Sequence, residues 1–360
     1  MKPLRTLLMG LTVVAGGTLP VMACTGISLV AKDGNFVHAR TIEWSAGYVP
    51  CEYVIIPRGQ VLTSYTPVGA NGLQFTARHG VVGCAVSQKE FIVEGINEVG
   101  LAAGLFYFPD YGEYVEFDST LSVKTLADLQ VVSWILTQCS TIDEVENAIR
   151  QVRIVSLDPK VASTVHWRIS QPDGRQVVLE ILDGGIPHFY ENKVGVITNS
   201  PGFPWQLTNL NNYINLYPGD APTHALGETT LHHLSGSSGM LGLPGDFTSP
   251  SRFVRAAFLR NTAPQQPDAF STVTLCFHLL NNFDVPIGLE HPQGQCPDLQ
   301  SATQWMTVTD LANRRLYYRT VYDASIRCID LKKIDFSIVK YQSHPMDIKR
   351  AQPIEMVEVR

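Results

Sequence analysis

No long run of lysine or arginine occurs in this chain. Its formal net charge of -6 and pI near 5.9 leave no basic surface of the kind that holds a nucleic acid. Charged residues are sparse, at 17% against 45% hydrophobic, an ordinary globular composition over 360 residues with ample material for a core. No HExxH, Walker loop, dinucleotide fingerprint or CxxC pair is present, so neither a metal nor a cofactor is expected. The Gly-Ser run at 234–239 lacks the GxSxG order of a nucleophile elbow and reads as loop, as do His232-His233 and Asn211-Asn212. Internal repeats, low-complexity tracts and long linkers are also missing, which favours one domain. Beyond residue 23 no segment approaches the roughly 20 apolar residues that span a bilayer.

What the chain does have begins at its N-terminus. Lys2 and Arg5 precede an apolar stretch at 7–15, and the small-residue ending Val21-Met22-Ala23 completes the layout of a secretory signal peptide. The expected product is a periplasmic or secreted domain of residues 24–360 that starts at Cys24. Seven cysteines stand at 24, 51, 84, 139, 276, 296 and 328, an odd number that leaves at least one without an intramolecular partner. Cys24 is the candidate. The other six could be disulfides or buried thiols packed as small hydrophobes.

Residues 25–31 and 36–44 have strand character around the turn signal Asp33-Gly34, so a hairpin opens the mature chain. A two-residue turn pairs Lys32 with Asn35 and therefore Cys24 with Glu43, while a bulge would shift this register by a residue or so and still leave Arg40 to Trp44 beside the strand end that carries Cys24. More strands are expected at 81–86, 100–108, 164–182 around Pro172-Asp173-Gly174, 188–198 and 304–322. Helices are expected at 126–139, from a capping box at Thr141 to about 152, at 251–260 and at 269–281. Helical pairs between blocks of antiparallel strands suggest two sheets face to face with helices outside.

An unblocked N-terminal cysteine joins a thiol to an α-amino group whose unperturbed pKa of about 7.7–8.0 suits it to take the thiol proton. Two other readings stay open. Cys24 could be an ordinary half-cystine, or Val21-Met22-Ala23-Cys24 could be a lipoprotein signal, in which case lipid caps both groups and the chain is a non-catalytic, lipid-anchored binding protein.

Several ordered segments decide between these readings. They are Cys24-Thr25 with Arg40-Thr41-Ile42-Glu43-Trp44, Gly95-Ile96-Asn97-Glu98-Val99-Gly100-Leu101, and Ile197-Thr198-Asn199-Ser200-Pro201. Trp205-Gln206-Leu207-Thr208-Asn209-Leu210, Gly242-Leu243-Pro244-Gly245-Asp246 with Ser251-Arg252-Phe253-Val254-Arg255, and Asn281-Asn282-Phe283-Asp284 complete the set. Together they resemble the choloylglycine hydrolase and penicillin V acylase family of N-terminal nucleophile hydrolases, and the leader and Arg-Thr-Ile-Glu-Trp look like its exported Gram-negative branch.

The resemblance implies an α+β, four-layer αββα fold, a homotetramer, and hydrolysis of a small-molecule linear amide through an acyl-enzyme on Cys24. Arg40, Asn199 and Arg252 match its other catalytic positions. Fixed cations favour a thiolate, and Asn can donate to a developing oxyanion. Glu43 stands where the family usually has Asp, and is expected to hold the α-amino group. Phe106 stands where the family carries Asn or Tyr, so it could serve the oxyanion only through its backbone N–H. Trp44, Tyr107 and Phe108 are candidates for an apolar acyl pocket, although aromatics on strands are more often plain core. Family substrates are conjugated bile salts, phenoxyacetyl penicillin and acyl-homoserine lactones, all with an apolar acyl group on an amide.

Overall fold

The computed structural model describes residues 23–44, 50–159, 163–290 and 302–359. The leader up to Met22, Cys296 and the side chain of Trp44 lie outside the described residues. Strands β1 (Cys24–Val30) and β2 (Phe36–Trp44) form the expected hairpin. Its turn is longer than the two-residue kind. Ala31 N–H donates to Asn35 O at 2.9 Å, Gly34 N–H donates to Ala31 O at 3.0 Å, and Gly34 takes the left-handed φ of 87° that closes such a loop.

That extra residue corrects the expected register. Cys24 pairs with Ile42, and Gly26 with Arg40. Side chains alternate across a strand, so a one-residue slip exchanges faces. Glu43 therefore turns away from the face that carries the Cys24 side chain, while Arg40 turns toward it.

In chain order the remaining strands of the two large sheets are β3 (Cys51–Ile56), β4 (Val81–Val86), β5 (Ile92–Asn97), β6 (Ala102–Tyr107), β7 (Val165–Ser170), β8 (Gln176–Leu182), β9 (Ile186–Glu191), β10 (Val196–Ile197), β11 (Ala302–Asp310), β12 (Arg315–Thr320), β13 (Arg327–Asp330) and β14 (Gln342–Pro345). One antiparallel sheet runs β10-β1-β2-β11-β12-β13. The other runs β9-β8-β7-β6-β5-β4-β3-β14. Helix α1 (Val131–Gln138) covers β5 and β6, and α2 (Ile142–Ala148) follows it, opened by Thr141, whose hydroxyl accepts from Glu144 N–H. Helix α3 (Phe203–Asn209) packs on α4 (Ser249–Thr262), while α4 and α5 (Ala269–Leu280) cover β1 and β2. The layers are helix, sheet, sheet, helix, an α+β architecture as expected.

Because β5 and β6 are covered on both faces, every residue in them is buried. Their sequences lack alternation for that reason, and β5 escaped the sequence reading. The expected single strand at 188–198 is two, β9 and β10. Between them Gly195, at φ 70°, is held by the Asn192 side chain, which accepts from its N–H at 2.9 Å. At the sheet interface a Cβ on Gly26 would lie 2.7 Å from Ile197 Cγ2 and 2.9 Å from Phe106 Cζ. A glycine there lets β1 come close against β6, which brings Cys24 to the end of that strand. Cys24, Cys84, Cys139, Cys276 and Cys328 are free thiols, so burial rather than cross-linking accounts for most of them. No helix among the described residues is long and apolar enough to cross a membrane.

Candidate active site

Cys24 is fully buried, and its sulfur accepts from Arg40 Nη2 at 2.9 Å. The opening that admits Arg40 comes from a split in the larger sheet. Strands β5 and β6 are paired only from Glu94 opposite Gly104 to Ile96 opposite Ala102. Past that point Arg40 Nη1 takes the place of the next rung and donates to Val93 O at 3.0 Å and Leu105 O at 2.6 Å. The same guanidinium lies over the Phe106 ring, 4.2 Å from its centroid.

The split also frees a backbone donor. Phe108 N–H bonds Thr164 O on the β7 side at 2.8 Å. Alternation along an antiparallel ladder then sends the Phe106 N–H to β7 as well, where Phe106 faces His166. Tyr107 N–H points the opposite way and donates to the Cys24 sulfur. The backbone group beside the sulfur is therefore that of Tyr107, and the expectation for Phe106 is corrected by one residue. Burial raises the Cys24 thiol pKa, Arg40 and Arg252 oppose this, Glu43 reinforces it, and the Tyr107 N–H lowers it.

Asn199 and Arg252 meet the other side of Cys24. Cys24 N–H donates to Asn199 Oδ1 at 2.9 Å, and Arg252 Nη2 donates to the same oxygen at 2.7 Å. Asn199 Nδ2 donates to Tyr107 O at 2.7 Å, which leaves its second N–H uncommitted to that bond. Arg252 sits in the first turn of α4. Its Nε is anchored on Phe247 O at 2.8 Å, and its Nη1 donates to Cys24 O at 2.5 Å and to Thr25 Oγ1 at 2.8 Å. Asn199 is held in turn by Ser249 Oγ, which accepts from its backbone N–H at 2.9 Å.

Glu43 is buried beside this group without touching Cys24 N. Its backbone N–H donates to Ala23 O at 2.9 Å, and its Oε1 accepts from Thr303 Oγ1 at 2.9 Å. Burial pushes its carboxyl up to about 8, with nearby Glu290 reinforcing the shift and Arg252 opposing it. A carboxyl raised on folding contributes stability that is full below its unfolded pKa and lost as pH rises through the folded value. Glu43→Gln cannot lose that contribution. Its melting temperature is expected to gain on the parent chain between pH 5 and pH 9, and thermal unfolding across that range checks it. A constant difference would mean that Glu43 does not titrate there.

The aromatic candidates separate. The Phe106 ring is fully buried between Arg40 and Arg168, and Phe108 is fully buried and stacked on His166 with ring centroids 4.3 Å apart. Both are core. Tyr107 is 9% exposed and contributes its backbone.

Two buried groups escaped the sequence reading. His166 bonds Thr198 O at 2.9 Å and Glu180 Oε1 at 3.2 Å, and that oxygen also accepts from Phe203 N–H at 2.8 Å, so the pair grips both ends of the segment that carries Asn199. Glu94, Arg168 and His38 form the second group, between the sheets. The usable signal was an isolated charge inside an apolar strand, as in Phe91-Ile92-Val93-Glu94-Gly95.

Two facing antiparallel sheets between helical layers, with a cysteine on the first residue of an inner strand, define an N-terminal nucleophile hydrolase. Residues 24–344 match the family model described as linear amide C-N hydrolases, choloylglycine hydrolase family, and the chain belongs to that family. It is a hydrolase of linear carbon-nitrogen amide bonds.

The chain is 30% identical over 316 residues to a bile salt hydrolase/transferase of Clostridium perfringens, covering 86% of this chain and 93% of that protein. To a penicillin V acylase of Pectobacterium atrosepticum it is 26% identical over 345 residues, 89% and 84% of the two chains. A crystal structure of a variant of conjugated bile acid hydrolase from Clostridium perfringens superposes with a TM-score of 0.80 at 27% identity, covering 93% of this chain and all of that one.

Proposed function

We infer that the chain is an exported amidase of the Gram-negative branch. It is cut after Ala23, matures to a single domain of residues 24–360, assembles as a homotetramer and acts in the periplasm or outside the cell. Cys24 is the nucleophile and its freed α-amino group the base. The observation that carries this reading is the convergence on one residue: Arg40 and Tyr107 N–H meet the Cys24 sulfur, while Asn199 meets its nitrogen.

The thiolate attacks the amide carbonyl, and the amine relays the thiol proton to the leaving nitrogen. The acyl-enzyme forms as that bond breaks, and water then releases the acid. The oxyanion is met by the second Asn199 Nδ2–H and by the Tyr107 N–H. Arg40 and Arg252 supply the positive field.

The substrate class is an amide with an apolar acyl group, the chemistry shared by conjugated bile acids and penicillin V in the names of the relatives. A second reading, acylated homoserine lactones, rests on the secretory layout at residues 1–23.

Intact mass and N-terminal sequencing of the exported protein come first, then a panel of glycine- and taurine-conjugated bile acids, penicillin V and acyl-homoserine lactones. A chain beginning at an unmodified Cys24, with turnover of one or more of these amides, is the expected result. Lipid on Cys24, or residues still attached before it in an active sample, overturns the mechanism and favours a lipid-anchored binding protein.

A further inference from the structure

Arg40 reaches from the smaller sheet to carbonyls of the larger one, and Arg168 makes the reverse crossing. Arg168 Nη1 donates to Ala39 O at 3.0 Å and Ile27 O at 3.4 Å, while its Nη2 donates to Glu94 Oε1 at 3.0 Å. His38 Nε2 lies 2.9 Å from that same carboxylate oxygen.

The other oxygen, Glu94 Oε2, is fully buried, has no hydrogen-bond partner, and lies 3.5 Å from Arg40 Nη1. Gly104 makes room for it, since a Cβ there would stand 2.1 Å away. Arg40 is thus placed between two acceptors, the Cys24 sulfur at one nitrogen and an unsatisfied carboxylate oxygen at the other.

The geometry points to Arg168 as a positioning residue that neutralises Glu94 and so keeps the Arg40 guanidinium on the Cys24 sulfur. This rests on the reading of Cys24 as nucleophile. Without Arg168, the Glu94 charge is left to Arg40 and to the His38 imidazole on its other oxygen, in a buried space where charges interact strongly. Arg40 then closes the 3.5 Å gap and slackens its hold on the sulfur. The groups acting on Arg168 are Glu94 from β5, Arg40 from β2 and Cys276 from α5, while His38 from β2 shares its carboxylate partner. Those acting on the sulfur are Arg40, Glu43 and Arg252.

The test is the pH dependence of Cys24 alkylation by iodoacetamide in the processed protein, with the modified peptide identified by mass spectrometry. Arg168→Met is expected to raise the alkylation midpoint by about one pH unit or more and to lower kcat/KM about tenfold or more, with a smaller change in KM. Glu94→Gln alone is expected to lower the midpoint. The double variant Arg168→Met with Glu94→Gln is expected to return it toward the parent value. An unmoved midpoint in Arg168→Met, or a double variant as impaired as that single one, overturns the proposal.

Should Arg168→Met fail to fold, Glu94→Gln and Arg168→Lys decide. The proposal then requires a lowered midpoint in the first and a nearly parental one in the second, and either failing overturns it. Alkylation reads the thiol directly. Failure of the nucleophile reading would show instead as full turnover in a Cys24→Ala variant.

Discussion

Cys24→Ala is expected to lower kcat for amide hydrolysis by about 10^4-fold or more while leaving a folded protein. The sulfur is the group of Cys24 that can form an acyl-enzyme, and among the described residues nothing nearby substitutes for it. The neighbouring hydroxyls, Thr25 Oγ1 and Ser249 Oγ, are committed to Arg252 and to the Asn199 backbone N–H. The structural cost is small. The side chain is compact, and Arg40 retains Val93 O, Leu105 O and Thr41 O after losing the sulfur. Truncation of so small a buried group costs about 1 kcal/mol. Initial rates on the best amide of the panel, beside a thermal melt, separate chemistry from folding. Parental turnover in a folded Cys24→Ala protein would remove Cys24 from the mechanism.

The second large effect is expected at Asn199. Its amide oxygen gathers Cys24 N–H and Arg252 Nη2, and its amide nitrogen holds Tyr107 O. On the proposed mechanism Asn199→Ala removes an oxyanion donor, worth about 10^2–10^3-fold in kcat. It also strands buried partners, at about 1–3 kcal/mol for each group left unsatisfied. Asn199→Asp separates the two consequences. The carboxylate keeps an acceptor for Arg252 and for Cys24 N–H but has no N–H to offer, so folding should recover further than kcat. If kcat followed stability in both variants, Asn199 would be a structural clamp rather than a donor to the transition state.

Much of this centre was legible in the chain. The cysteine that opens β1 and the hairpin signal around Asp33-Gly34 are local features, and local features survive folding. Arg40, Asn199 and Arg252 could be picked out through the ordered segments that carry them, and all three converge on Cys24. Glu43 and Phe106 were misplaced for a common reason. In a β-strand the face of a side chain and the direction of an N–H both reverse with each residue, so an error of one position inverts the geometry. The hairpin loop carries one residue more than the simplest turn, and that moved Glu43 off the Cys24 face. The backbone N–H beside the sulfur is that of Tyr107 rather than Phe106 because the unpaired side of β6 is the side toward β5.

By itself, the amino-acid sequence determined the nucleophile, the layered α+β architecture and the residue types around the sulfur, since each depends on neighbours along the chain or on ordered motifs. Tertiary structure alone decided which backbone N–H meets the sulfur, how Glu43 is buried to a pKa of about 8, and that Glu94 and Arg168 stand behind Arg40. Those relations arise where two sheets close on one another at Gly26 and a strand pair splits to admit a guanidinium, bringing together residues as distant in sequence as Cys24 and Arg252. Contacts of that kind leave no periodic trace along the chain, because their positions are set by packing across layers rather than by the order of residues within any one strand.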